Sequence, residues 1–324
     1  MSDYTFSQKL LHELALSSKL IRQSTFDIEN FLFNSDISLN SKHVFVTGLA
    51  RSGTTVLLNH IFTSKQFASL TYRDMPFVLA PNIWSRLNRH KDISKKERAH
   101  GDGIFVSMDS PEAFEEIFWK TFTDDDHKVK FPAFVNLVMR RYSKSRYLSK
   151  NNNNHQRVLL LRKMFPESRI IIPFRDPSQH SRSLYDQHIM FKKKQANDDF
   201  IRKYMDYLGH NEFGEGYQAI HTNTRYNDTT DCNHWLEQWY LYYSKILNEL
   251  PLINEGVILI SYEKLCEDES VFKSLSSFIE IEDKDISCNF RLSHKKNMFS
   301  YDRKLLRKSE ELHQSLLQSK YCLA

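Results

Sequence analysis

The residues best suited to do chemistry stand together between positions 43 and 62, HVFVTGLARSGTTVLLNHIF. An apolar run, Val44-Phe45-Val46, leads to Gly48, Gly53 follows after four residues, and Thr54-Thr55 open an amphipathic stretch. This is the frame of a phosphate-cradling loop, in which backbone N–H groups and a helix N-terminus hold anionic oxygens. The usual loop, G-x-x-x-x-G-K-[ST], carries a lysine after its second glycine, and Thr54 occupies that place here. The nearby cation is Arg51, three residues earlier and inside the loop. The displaced charge asks which anion such a loop would hold.

Two further strand ends carry charge. Lys150 closes the stretch RYLSK, and IIIPFRDPSQHSRS places Arg175 at a turn with Ser183 eight residues later. Taken singly, the glycine loop also fits a tight turn packing a helix on a strand, and Arg-Asp-Pro fits an exposed turn. Together they suit a ligand that is anionic at two ends and needs two anion sites on neighbouring strand ends.

With both elements in this order and spacing, the chain resembles the sulfotransferases that use 3′-phosphoadenosine 5′-phosphosulfate (PAPS), over roughly residues 43 to 300. In that family a [KR]-S-G-T-T loop holds the 5′-phosphosulfate, and an Arg-[DN]-Pro turn with a Ser eight residues after the Arg holds the 3′-phosphate. A Tyr-Glu pair after a later strand is also usual, matched here in SYEKL at 261–265. The resemblance implies a donor site of Gly48, Arg51, Ser52, Gly53, Thr54, Thr55, Arg175, Ser183 and Tyr262, with PAPS as donor and PAP as product. Arg51 would then lie beside the oxygen that bridges phosphate and sulfur. A fixed guanidinium there stabilises the charge that grows as the S–O bond breaks, so no metal is required. Arg51 and Lys150 are the implied catalytic cations.

Transfer to a hydroxyl needs a base for the acceptor's proton. The cytosolic phenol and steroid sulfotransferases have a Lys-Thr-His about 25 residues before the Arg-Asn-Pro turn. Lys150 stands at that distance from Arg175, but Asn152 holds the place of the His. Tyrosylprotein and several carbohydrate enzymes instead use a carboxylate after the loop's helix, which makes Asp74 in TYRDMPF the first candidate and His100 in AHGDGI the second, beside Asp102. The competing readings are a surface ion pair or helix cap for Asp74 and a loop histidine for His100. The expectation is sulfuryl transfer to a hydroxyl of a sugar or glycolipid. The alternatives are a P-loop kinase of a small metabolite, which would need a lysine at 54, and a non-catalytic PAP-binding protein of the same fold.

The elements that must position these groups alternate. Helical spacing over residues 6–34 forms a lead-in within 1–40, a strand is expected at about His43–Thr47, and a helix at Thr54–Thr63. SPEAFEEIFWK reads as a helix opening at Ser110. A helix and short strand precede Lys150, and a helix closed by Pro166 precedes the strand Ile170–Ile172. Residues 209–231 lack periodicity, so 205–232 is the candidate substrate loop, with His210 and Glu212 in it. A helix near Trp235–Leu250 and the strand GVILIS follow. Strand–helix alternation predicts one α/β domain over 1–324, doubly wound around a mostly parallel sheet, with ligands at the strands' C-terminal ends.

Composition narrows the partners. A net charge of +5 over 324 residues suits small anions and is too dispersed for nucleic acid. Cys232, Cys266, Cys288 and Cys322 are far apart, which gives neither a zinc motif nor a disulfide framework. The N-terminal residues have no apolar signal core and no run approaches a membrane span, so the cytoplasm is the expected location.

Overall fold

In the computed structural model the described residues are 5–34, 42–88, 96–97, 105–253, 255–281, 290–292 and 299–323. Two helices, α1 (Phe6–Ser17) and α2 (Lys19–Phe33), precede β1 (Val44–Val46) and α3 (Thr54–Thr63). Then come α4 (Pro81–Leu87), the short strands β2 (Lys96–Glu97) and β3 (Phe105–Val106), α5 (Glu116–Thr121) and α6 (Asp124–Tyr142). The remaining units are β4 (Leu148–Lys150), α7 (Val158–Met164), β5 (Arg169–Phe174), α8 (Pro177–Asn197), α9 (Asp199–Leu208), α10 (Cys232–Glu249) and β6 (Val257–Ser261). They are followed by α11 (Tyr262–Glu267), α12 (Glu269–Phe278) and α13 (Arg303–Gln318).

Four strands form a parallel sheet in the order β4-β1-β5-β6. Parallel strands are buried on both faces and therefore read as continuous apolar runs, as VFV, RIIIPF and VILIS do here. Phe45, Ile170, Ile172 and Leu259 face a core built with Phe131, Phe134, Leu161, Leu184 and Trp239 of α6, α7, α8 and α10. Val44, Val46, Ile171, Ile258 and Ile260 face Leu57, Leu58 and Ile61 of α3 and Val271, Phe272 and Leu275 of α12. Helices on both faces make this the doubly wound α/β fold that the alternation predicted. The register sets Val46 level with Lys150 on one side and Ile171 on the other. The ends of β1, β4 and β5 thus lie close together, at the position where such sheets bind ligands.

One element differs from its sequence pattern. No helix opens at Ser110, because Pro111 bridges Thr71 and Glu112 N–H donates to Leu70 O, so the segment runs extended and α5 begins only at Glu116. This delay carries Glu115 and Glu116 under the end of β4. Glu115, 1% exposed, accepts from Trp119 Nε1 (3.0 Å), Tyr147 OH (3.1 Å) and Asn154 Nδ2 (2.7 Å). Glu116 takes a two-pronged contact from Arg157 at 2.7 and 2.8 Å, plus Asn151 Nδ2 at 2.7 Å.

A buried donor left without its acceptor costs about 1–3 kcal/mol. Glu115→Ala strands three of them, so it should lower stability by about 3 kcal/mol or more at unchanged denaturant m-value, while Glu115→Gln should cost less. Urea unfolding of the two variants is the check, and a loss below about 1 kcal/mol for Glu115→Ala would contradict this account.

Candidate functional site

The loop after β1 is strained. Arg51 (φ 71°) and Gly53 (φ 101°) both lie in the left-handed region, and Gly53 caps α3 with no side-chain hydrogen bond to its first turn. A Cβ on Gly53 would stand 2.4 Å from Cδ2 of the Tyr262 ring, so glycine is required for space as well as for φ. A Cβ on Gly48 would stand 2.8 Å from Ser52 Oγ. Thr54 and Thr55, the first helical residues, are buried. Ser52 Oγ is buried too and finds no partner of hydrogen-bonding geometry. A side-chain-free helix end with a buried, unsatisfied hydroxyl fits an anion, which would accept from both.

The Arg-Asp-Pro turn packs directly on this loop. Arg51 Nε donates to Ser183 Oγ at 3.2 Å, and Arg175 Nη1 donates to Arg51 O at 3.1 Å. Arg175 lies over the Tyr262 ring at 5.2 Å. Its Nε is 3.8 Å from Glu263 Oε1, too far for a hydrogen bond, and is buried without one. Asp176 caps α8 by accepting from Gln179 N–H, and Pro177 fills the first helical position. His180, one turn into α8, donates from Nε2 to Ala50 O at 2.8 Å. Burial, then the cations Arg175 and Arg51, push its pKa down to about 3, so it is neutral at pH 7 and clamps the loop without adding charge.

On the other side, Lys150 ends β4 at 8% exposure. Asn151 N–H donates to Val46 O (3.0 Å), which holds the asparagine run across the end of β1. Asn152 then meets the loop twice: Thr47 Oγ1 donates to its carbonyl at 3.2 Å, and Thr54 Oγ1 donates to its Oδ1 at 3.4 Å. Its Nδ2 donates to Glu212 Oε1 at 2.8 Å. The structure therefore brings Gly48, Arg51, Ser52, Gly53, Thr54, Thr55, Lys150, Arg175, Ser183 and Tyr262 to one end of the sheet. Sequence reasoning missed His180, Asn152 as a bridge, and the Glu115–Glu116 pair.

Asp74 ends the short turn Tyr72–Asp74. It is 1% exposed and closes a capping box, accepting from Thr71 N–H at 2.8 Å while Tyr142 OH donates to it at 2.6 Å. Arg141 Nε lies 3.8 Å away. Buried and already bonded, this carboxylate closes the capping box of a turn. Its neighbour Arg73 pairs with Asp109. His100 and Asp102 lie outside the described residues. His210 donates from Nε2 to Ala113 O at 3.1 Å and so anchors its loop. Trp119, Trp235 and Trp239 are core side chains. Among the described residues, no group of three or more His, Cys, Asp or Glu is placed to hold a metal ion, and no helix is long and apolar enough to cross a membrane.

A parallel sheet whose strand ends present an uncapped helix terminus beside two arginines, with a lysine closing the next strand, is suited to an anionic ligand. Residues 43–285 match the model of the sulfotransferase family, and the chain belongs to that family. It is an enzyme of sulfuryl transfer. Sulfotransferase STF1 of Mycobacterium tuberculosis H37Rv aligns in structure with a TM-score of 0.52 at 12% identity, over 96% of this chain and 86% of that one. Sulfotransferase STF9 of Mycobacterium avium gives 0.45 at 12%, over 98% and 80%. A sulfotransferase of Alicyclobacillus acidocaldarius gives 0.42 at 13%, over 86% and 96%. At such identity the first similarity bears on the fold, and it carries no substrate. No curated protein matches the chain.

Burial raises the Asp74 pKa from the ordinary 3.8 to about 6, against the lowering effect of Thr71, Tyr142 and Arg141. The folded protein therefore holds this proton more tightly than the unfolded chain. The stabilisation is complete below about pH 4 and is lost as pH rises through about 6. Asp74→Asn cannot titrate, so wild-type stability minus variant stability should fall between pH 4 and 7 by on the order of 3 kcal/mol. Thermal melts of both proteins across that range are the measurement, and a flat or rising difference would contradict the assignment.

Proposed function

We propose that the donor is PAPS and that the acceptor is a hydroxyl of a sugar or glycolipid. The observation that carries the donor reading is the direct contact between the two anion-binding elements, Arg51 with Ser183 and Arg175 with the Arg51 carbonyl. A ligand with charge at both its 5′ and 3′ ends needs two such sites side by side. When bound, PAPS supplies a sulfuryl group on a good phosphate leaving group.

The chain's own residues divide the remaining work. Gly48, Ser52, Gly53, Thr54 and Thr55 present the backbone and hydroxyl donors of the α3 terminus to the 5′ end. Arg175 and Ser183 hold the 3′-phosphate, and Tyr262 packs beside them under the Gly53 backbone. Arg51 and Lys150 set positive charge at the transferring group, where one well-placed donor is worth about 10² to 10³ in rate. Because Arg51 is built into the loop and Thr54 takes the lysine place, the loop suits a short phosphosulfate better than the phosphates of a kinase substrate. The acceptor class follows from Asn152 standing in place of the phenol-type histidine, with 205–232 as the acceptor-facing segment. The unpaired cysteines Cys232, Cys266 and Cys322 suit a reducing compartment, in keeping with a cytoplasmic enzyme.

PAP at about 100 times its Kd should stabilise the protein by about 2.7 kcal/mol without divalent metal, and ATP with Mg²⁺ should do less. Greater stabilisation by ATP and Mg²⁺ would transfer the protein to the kinase reading. Label from radioactive PAPS should appear in a sugar or glycolipid fraction.

Arg175→Ala and Ser183→Ala should mainly weaken PAP binding, whereas Arg51→Ala and Lys150→Ala should mainly lower kcat by about 10² or more. Titration of PAP by melting temperature, beside steady-state rates, separates the two classes. Equal effects of all four variants on KM alone would sink this division.

A further inference from the structure

With Asp74 committed to a cap, the acceptor's proton has no taker among the groups assigned so far. Carboxylates near the strand ends are mostly consumed. Glu115 is shared by Trp119, Tyr147 and Asn154. Glu116 is held by Arg157, and Glu112 accepts from Tyr72 OH and Ala113 N–H. Glu263 accepts from Asp176 N–H and Ser261 Oγ under the Arg-Asp-Pro turn. Glu212 differs in both place and access. It is half-buried on the segment after α9, and Asn152 aims it at the loop.

The orientation is fixed by elementary donor counting. A carboxylate only accepts, so the Asn152 amide must turn its NH₂ toward Glu212 and its oxygen toward the Thr54 hydroxyl. The contacts, 2.8 Å to Glu212 and 3.4 Å from Thr54, agree with that. Glu212 is thus two hydrogen bonds from the first residue of α3, where the transferring group would sit. The loop backbone around it is also held: Phe213 is buried, and Gly214 N–H donates to His188 Nδ1 at 3.3 Å.

Resting on the donor reading above, we infer that Glu212 is the general base of the transfer, positioned by Asn152. As a lone pair of the acceptor oxygen forms the new O–S bond, that oxygen's proton passes to the Glu212 carboxylate. The S–O bond to the phosphate breaks, and its electron pair leaves on the phosphate oxygen of PAP, beside Arg51 and the α3 terminus. Asn152 is a positioning residue: it orients the carboxylate and touches no reacting atom.

The test compares two acceptors that differ in their need for a base. Octyl β-glucoside has alcohol hydroxyls that must be deprotonated during attack, whereas p-nitrophenol is largely ionised in neutral to mildly alkaline buffer without help. Glu212→Gln keeps the side chain's size and an acceptor for Asn152. PAP release from PAPS with octyl glucoside should fall about 100-fold in kcat for this variant, with p-nitrophenol turnover and PAP affinity little changed. Asn152→Ala should show the same selectivity at a smaller loss, about tenfold. Equal losses with both acceptors would show a structural role and overturn the inference, as would wild-type kcat in Glu212→Gln. An alcohol-selective loss in Asp74→Asn instead would return the role to Asp74. Failure of the wild-type protein to bind PAP would be a different result, ending the donor reading itself.

Discussion

At Gly53 the chain turns left-handed and begins a helix with no side chain over its first turn. The N–H groups of a helix's first turn have no intrahelical partner, and the peptide dipoles add positive potential there. A side-chain cap would satisfy part of that demand and close the site. Here the cap position is a glycine against the Tyr262 ring, which leaves the helix end to a ligand. Much of the surrounding architecture keeps that end in place. The loop enters from the central pair β1 and β5, α8 clamps it through His180 and Ala50, and Asn152 ties its far side to β4.

Charge around this end is arranged with economy. Arg51 and Arg175 lie in the loop and the turn beside it, Lys150 closes the neighbouring strand β4, and His180 lies near the two arginines without becoming a further cation. Its environment explains this: full burial and two neighbouring guanidinium groups make the neutral imidazole the stable form. The neutral ring can still donate one hydrogen bond, which is all the clamp needs. Glu263 does the complementary work on the Arg-Asp-Pro turn, where it accepts from Asp176 N–H and sits beside Arg175. The turn is therefore held by its own counter-charge, and Arg175 keeps a buried Nε with no hydrogen-bond acceptor.

Local signals made the loop after β1 and the Arg-Asp-Pro turn legible in the sequence. A glycine pair at fixed spacing and an apolar run each follow from chemistry within a few residues and fell where they were expected, while the Asp176-Pro177 turn also opens α8. Asp74 carried such a signal too: Thr71-x-x-Asp74 is a capping-box spacing, and the structure obeys it. What could not be read are bonds between distant parts of the chain. Glu115 with Tyr147, Glu116 with Arg157 and Asn152 with Glu212 are separated by 32, 41 and 60 positions. The helix expected at Ser110 failed for the same reason, since a bridge to Thr71 overrode a sound local start signal.

The aperiodic segment 209–231 shows how an irregular chain can still be a defined surface. It has no strand or helix, yet side chains of the flanking helices satisfy much of its backbone. Glu215 N–H donates to Gln195, and His221 both donates to and accepts from Gln238. Glu237 takes the N–H groups of Arg225 and Tyr226, while His234 and Trp235 donate to Tyr226 O and Thr229 O. The loop after β1 is fixed by backbone geometry that tolerates few residue types, whereas this segment is fixed by side chains on α8 and α10. Such a division lets this segment be rebuilt without disturbing the strand ends beside it. It also explains why one half of the site is written in motifs and the other half is not.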